Sequence, residues 1–263
     1  MTIIQSILLG LLQGVAEFLP ISSSGHLAVA QSLFGLTEVP LLFDVFLHLA
    51  TLCSVILFFR KTIANLFCVL GRFLIRKSRE EDAPSLRLIL AILIGTLITG
   101  VFGVVLSDAV PSLPLKVIGA FFILTGLLLI FSSRYEPKKT VEPGLLQGVI
   151  TGFAQGIGVL PGISRSGITI SAALLAGIDR KTAGEFSFLL SLPAILGAFL
   201  LELKDIGGLM DTVPVAALVV GCVTAFVAGL LSLRFLMTLI QRGKLGWFAC
   251  YLIPAGILTI IFL

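Results

Sequence analysis

Apolar residues fill this chain in long runs, and the runs are interrupted in two different ways. Six of them, at about 42–60, 85–106, 114–132, 182–202, 212–233 and 244–263, are continuous and long enough to cross a bilayer core as helices. Two further regions, about 3–35 and 143–176, are as apolar but break at their centres. The first breaks at Pro20-Ile21-Ser22-Ser23-Ser24-Gly25 and the second at Pro161-Gly162-Ile163-Ser164-Arg165-Ser166-Gly167. Each half of a broken region has about 10–17 residues, short for a span. Proline ends a helix and the serines can cap the next one, so each region is predicted to be a helix, a loop and a helix that enter and leave on one side.

The two broken regions resemble each other. Leu11-Leu12-Gln13-Gly14-Val15 recurs as Leu145-Leu146-Gln147-Gly148-Val149, and Phe43-Asp44-Val45-Phe46-Leu47-His48-Leu49 aligns with Phe186-Ser187-Phe188-Leu189-Leu190-Ser191-Leu192. The expected fold is an all-α polytopic membrane protein with an internal repeat, the first copy at about 1–132 and the second at about 143–263. Each copy holds one re-entrant helix-loop-helix and three spans. Three crossings put the second copy on the opposite side from the first, so counting predicts an inverted-topology repeat.

Composition narrows the class. The 263 residues are 57% hydrophobic and 12% charged, with a mean hydropathy of +1.15; soluble domains carry about 25% charged residues. One integral membrane domain over 1–263 is expected, and no basic region or cleavage site marks a removable signal peptide. The net charge of +4 collects in four connections: Arg60, Lys61, Arg72, Arg76, Lys77 and Arg79; Arg134, Lys138 and Lys139; Arg180 and Lys181; Arg234, Arg242 and Lys244. These read as cytoplasmic, at 61–84, 133–142, 177–181 and 234–244. The opposite faces carry Glu38, Asp44, Asp108, Glu202, Asp205 and Asp211, with Lys116 and Lys204 as the cations. No aromatic residues interleave the basic runs, which argues against nucleic acid as a partner. Cys53, Cys68, Cys222 and Cys250 lack metal-ligand spacing and are expected to be buried small hydrophobes.

The first broken region then dips from outside and the second from inside, and their tips meet near the midplane. Ionisable groups at that depth mark function. Gln13 and Glu17 lie four apart on one helix face, and Ser22, Ser23, Ser24 and His26 follow within ten residues of Glu17. At the second tip Arg165 sits between Ser164 and Ser166, with Gly167 and Thr169 beyond. A glycine-rich turn opening a helix presents free N–H groups to an anion, and a guanidinium adds a fork of donors suited to phosphate. The set suits phosphoryl chemistry better than acyl transfer. Asp44 and His48 share a helical face, but no spacing rule ties them to the tips; they read as supporting or structural. Gly156, Gly158, Gly162 and Gly167 read as packing and turn residues.

Gln13-x-x-x-Glu17, the following Phe-Leu-Pro-Ile-Ser-Ser-Ser-Gly-His, and Pro161-Gly162-Ile163-Ser164-Arg165-Ser166-Gly167-x-Thr169 resemble the bacitracin-resistance family of undecaprenyl-diphosphate phosphatases. The resemblance covers essentially the whole chain. It implies removal of the terminal phosphate from a polyprenyl diphosphate with a divalent cation, Mg²⁺ or Ca²⁺, in a multi-pass protein of the plasma membrane. Glu17, Ser23, His26, Ser164, Arg165 and Thr169 match its important positions. Gln13 stands where the pattern admits Glu or Gln, and an amide cannot act as a general base. Ser23 is the expected nucleophile, with His26 or Glu17 as base, Arg165 on the diphosphate and Glu17 as the protein ligand of the cation. Gln13, Ser22, Ser164, Ser166, Gly167 and Thr169 are the expected substrate contacts. Direct attack by water is the competing mechanism. An inverted repeat with broken helices also suits a carrier or flippase for an anionic lipid. The small-residue face from Gly221 to Gly229 suits helix pairing, so a homodimer is among the expected assemblies.

Overall fold

A computed structural model describes residues 1–36, 41–106, 113–137, 140–203 and 212–263. The charges at Glu38, Asp108, Lys138, Lys139, Lys204, Asp205 and Asp211 lie outside the described residues, as does the side chain of Glu202. Within them the chain is helical throughout, with no strand. The order is α1 (Ile3–Phe18), α2 (Ser23–Leu33), α3 (Leu41–Phe58), α4 (Arg60–Leu74), α5 (Ala83–Leu106), α6 (Leu115–Ser133), α7 (Leu145–Ile157), α8 (Arg165–Leu175), α9 (Arg180–Glu202), α10 (Val215–Gln241) and α11 (Ala249–Phe262). Short 3₁₀ turns at Glu80–Asp82 and Leu245–Phe248 lead into α5 and α11. Among the described residues five helices are long and apolar enough to cross a membrane, and α3 with α4 makes a sixth candidate. By contrast α1, α2, α7 and α8 have 16, 11, 13 and 11 residues, too few for a span. The all-α polytopic expectation therefore holds, including both broken regions.

Local sequence starts and stops these helices. Thr2 and Gln5 form a capping box at the head of α1: Gln5 N donates to Thr2 Oγ1 at 3.2 Å, and Thr2 N donates to Gln5 Oε1 at 2.8 Å. Asp179 caps α9 by accepting from the N–H groups of Lys181 and Thr182.

Two boundaries differ from the sequence expectation. The connection at 61–84 is not simply a loop, because Arg60–Leu74 forms α4, bent by 80° from α3 at Phe59. Its apolar residues recur at helical spacing between the basic ones. The span expected at 212–233 continues as α10 to Gln241, so Arg234 lies on the helix. At about 1.5 Å per residue a 27-residue helix outruns a bilayer core, and its last turns emerge with their charges.

The short helices are held by close backbone contact. α1 packs chiefly on α10, α7 on α5, and α6 on α11, while α3 lies against both α9 and α10. Apolar packing gives little net drive between helices in lipid, so small residues that let backbones approach take over. A Cβ added at Gly10 would lie 2.3 Å from the Gly221 carbonyl oxygen; at Gly14 it would lie 2.6 Å from Ala225 O and 2.7 Å from Ala228 Cβ. Ser6 Oγ donates to Ala217 O at 2.5 Å in the same seam. The small-residue face from Gly221 to Gly229, which suited a second copy on sequence grounds, is filled by α1 of the same chain. Another expectation fails: Cys53 and Cys250 are exposed on apolar helices, where lipid replaces water as the outer solvent, Cys68 is exposed on the polar side of α4, and Cys222 is half-buried. An apolar core of Phe18, Phe122, Phe186, Phe188 and Ile170 lies beneath the two breaks, with Phe18 edge-on to Phe188 at 5.6 Å.

Gly14→Val should therefore overpack the α1–α10 seam and cost about 1–3 kcal/mol. Gly100→Ala, whose new Cβ meets nothing within 4 Å, should be neutral or slightly stabilising. Thermal unfolding of the two detergent-purified variants checks the contrast.

Candidate active site

α1 ends just before Pro20, and the chain turns through Leu19–Ser22 into α2. Ser22 has φ 72° and ψ 90°, a region that L residues adopt at a cost. It stands at the N-cap of α2, yet its hydroxyl does not cap that helix as expected; it accepts instead from Gly162 N, 140 residues away, at 3.0 Å. The tight turn folds the first residue of α2 back on the last turn of α1. Ser23 Oγ donates to Glu17 Oε2 at 2.6 Å, and Gln13 Nε2, one turn earlier on α1, donates to the same oxygen at 3.1 Å.

The second break is built differently. Gly162 adopts φ 96°, and a Cβ there would lie 2.5 Å from Ile118 O on α6, so both conformation and space demand glycine. Ser164 caps α8 as expected, its Oγ accepting from Gly167 N at 3.1 Å. Thr125 on α6 clamps the turn from below, donating to Gly162 O at 3.1 Å and accepting from Ser164 N at 3.2 Å.

The two tips interlock. Arg165 Nη2 forms an ion pair with Glu17 Oε1. Ser166 Oγ donates to Phe18 O at 3.1 Å, and a Cβ on Gly25 would lie 2.7 Å from Gly162 N. Thr169 bonds back to Arg165 O at 2.7 Å and meets Ser187 Oγ at 2.5 Å. Ser166, Gly167 and Thr169 thus make bonds within the protein that set the position of α8, whereas Ser22, Ser23, Ser164 and Arg165 line the cavity described below. Gln13 is fully buried behind Glu17.

Two imidazoles take unequal places. His26 has both ring nitrogens occupied, Nδ1 with Ser22 O at 2.8 Å and Nε2 with the Tyr251 hydroxyl at 2.7 Å, and packs against Phe122. His48 on α3 instead brings Nε2 to 3.3 Å from Glu17 Oε2, while its Nδ1 donates to Asp44 O at 2.8 Å. One turn along, Thr51 Oγ1 faces Gln13 Nε2 at 3.5 Å. Asp44 itself is half-buried in the first turn of α3 and accepts from Gln31 Nε2 at 2.8 Å. The helical spacing of Asp44 and His48 gave their common face; only the tertiary fold ties that face to Glu17 and adds Thr51 to it.

These groups open on a cavity of about 650 Å³, within the usual range for ligand pockets. Its polar wall holds Glu17, Ser22, Ser23, Ser24, Asp44, His48, Ser164 and Arg165; the remainder includes Leu27, Leu36, Leu113, Ile118, Ile163 and Ile195. The first turns of α2 and α8 both line it. Two helix N-termini and a guanidinium aimed at one space favour an anion. The apolar wall favours a greasy chain attached to that anion.

Fold and site together define a polytopic helical membrane protein whose cavity joins an apolar wall to anion-favouring groups and a hydroxyl held by a carboxylate. Comparison narrows the class to a family. The family model described as bacitracin resistance protein BacA matches residues 6–258, and this chain belongs to that family. Among its relatives, the undecaprenyl-diphosphatase of Treponema denticola is 56% identical over 98% of this chain and 96% of the relative. Those of Desulfosudis oleivorans and Methanosphaera stadtmanae are 41% and 38% identical, each over 98% of this chain and 97% of the relative.

Ser22→Ala should leave the buried Gly162 N–H without an acceptor and cost about 1–3 kcal/mol, read as a drop in unfolding temperature. Ser24→Ala, at the same tip, should cost less than about 0.5 kcal/mol.

Proposed function

We propose that this protein hydrolyses undecaprenyl diphosphate to the monophosphate and phosphate, and so returns a lipid carrier to cell-wall synthesis. The observation that carries the reading is the hydrogen bond from Ser23 Oγ to Glu17 Oε2 at 2.6 Å beside Arg165. A carrier for anionic lipids has use for the arginine but none for a hydroxyl held on a carboxylate, and so the hydrolase is the favoured reading.

The mechanism follows from the bonds each group makes. Arg165 and the first amides of α8 hold the diphosphate. Because that anion competes with Glu17 for the guanidinium, binding loosens the ion pair and leaves Glu17 a stronger base for the Ser23 proton. Ser23 Oγ forms a bond to the terminal phosphorus as the bridging P–O bond breaks, and the polyprenyl monophosphate leaves. Water then cleaves the phosphoserine and frees phosphate. His48 holds Glu17 from the α3 side. His26, tied to Ser22 and Tyr251, positions the turn that carries Ser23.

A divalent cation, Mg²⁺ or Ca²⁺, fits the donor set only if the substrate shares it. No group of three or more His, Cys, Asp and Glu among the described residues could hold an ion. Glu17 supplies a carboxylate, and the neighbouring Gln13 Oε1 is buried with no hydrogen-bond partner. Mg²⁺ is commonly bound by one or two protein oxygens plus phosphate oxygens. Bound so, the cation would neutralise charge on the diphosphate.

The reading includes two copies in inverted orientation, with re-entrant hairpins α1–α2 and α7–α8, in the plasma membrane. Support comes from exchanged packing: α1 seats on α10 of the second half as α7 seats on α5 of the first. Gly14 and Gly148, equivalent in the repeated pentapeptide, both make these seams. Leu36 and Leu113, beside the connections given to the outer face, line the cavity and support an outward opening.

Phosphate release by the purified protein in lipid tests the proposal. Wild type should release phosphate, chelation of divalent cations should stop it, and Glu17→Gln should slow it by at least about 10²-fold. Terminally labelled substrate should leave covalent label on wild type and none on Ser23→Ala. Full activity in Ser23→Ala would remove the seryl nucleophile, and no release by wild type would remove the hydrolase.

A further inference from the structure

The chain leaves α3 at Phe59 and turns by 80° into α4. Spans tilt on average by about 20° from the bilayer normal, so a helix at this angle to one runs along the surface. Three faces of α4 meet three surroundings. Its inner face joins the protein: Val69 is buried, Ile63 and Leu66 pack on the core, and Thr62 Oγ1 donates to Glu185 Oε1 on α9 at 2.8 Å. A second face is apolar and open. Phe67 and Leu74, seven residues apart and so nearly in line, are 70% and 71% exposed. Lys61, Asn65, Cys68 and Arg72 recur every three or four residues on the side away from Phe67 and Leu74. Arg76 and Lys77 continue the charge just past the C-terminus.

The charges are only partly neutralised. Asp82 takes Arg72 and Glu81 takes Arg79, leaving Glu80 as the remaining carboxylate of the segment. Arg60 Nη1 bonds only the Leu57 carbonyl, and Lys61, Arg76 and Lys77 have no carboxylate partner among the described residues. Arg76 also sits at φ 57°, where glycine would fit without strain. An apolar face beside a cationic face, on a helix set across the spans, suits the boundary between acyl chains and charged headgroups.

We propose that α4 is an in-plane anchor whose apolar face enters the acyl region and whose cations, Lys61, Arg76 and Lys77, bind the headgroups of anionic phospholipids. Phe67 and Leu74 set its depth. The headgroups supply the counter-charge that the protein lacks. This site lies apart from the phosphoryl pocket and takes the bulk lipid, not the substrate.

The test uses the full chain in phosphatidylcholine vesicles containing phosphatidylglycerol. Trp247, the single tryptophan, is replaced by Trp247→Phe, and Phe67→Trp places a fluorophore on the apolar face. Either lipid is then brominated along its acyl chains. Both should quench the fluorophore. At equal mole fraction, brominated phosphatidylglycerol should be enriched around it by about fivefold or more at low salt, the factor that one surface cation supplies. Neutralising the cations together with Lys61→Gln, Arg76→Gly and Lys77→Gln, or raising the salt, should remove the enrichment while acyl quenching and phosphate release persist. Arg76→Gly also relieves the left-handed backbone, so the variant has no reason to misfold. No quenching by either lipid would overturn the in-plane placement. Equal quenching in the parent protein, or enrichment that survives in the triple variant, would overturn the headgroup site.

Discussion

A carboxylate and a guanidinium, each expensive inside a bilayer, meet as Glu17 and Arg165. Neither is tolerated alone at that depth, because an unpaired charge in an apolar setting costs several kcal/mol. Pairing them forces two chain breaks almost 150 residues apart into contact, and much of the architecture serves that contact. Ser22 spends its hydroxyl on Gly162 N rather than on its own helix, and Ser166 reaches Phe18 O. Glycines 25 and 162 admit the approach. Every one of these bonds would be idle if the tips lay apart.

Packing that lets short helices stand inside the bundle follows from the same constraint. α1 and α7, at 16 and 13 residues, are too short to reach from one membrane surface to the other, so they cannot be anchored at both. They are held along their length by seams where small residues face each other: Gly10 and Gly14 against Gly221 and Ala225, and Gly148 and Gly152 against Ala91 and Gly95. Dispersion between close backbones substitutes for the hydrophobic drive that lipid does not supply. The result is a rigid frame in which Glu17, Ser23 and Arg165 are fixed by helix ends rather than by loose loops, as a preorganised site requires.

Much of this was legible in the chain. Duplicated Pro- and Gly-broken segments announced the two tips, since only function or strong pairing retains Glu17 and Arg165 in such apolar surroundings. The i, i+4 relation of Gln13 and Glu17 gave their common face. Other features were hidden for physical reasons. His48 reaches Glu17 only through the placement of α3, and no spacing rule links positions 31 residues apart. Tyr251 meets His26 from the far end of the chain. α4 was masked because its basic residues read as a loop between spans, although its apolar positions keep a helical period. Gly221 to Gly229 showed a contact face but not whose; the answer was α1. Cys53 and Cys250 were placed inside by a rule learned in water, and lipid reverses it.

The most direct test of the account is a double-mutant cycle on folding free energy for Glu17→Gln and Arg165→Gln in one detergent. Each single change should cost about 3–5 kcal/mol by stranding the opposite charge. The double variant should cost less than the sum by more than about 1 kcal/mol, because both charges leave together. Additivity within about 0.5 kcal/mol would mean that the two tips do not share a pocket.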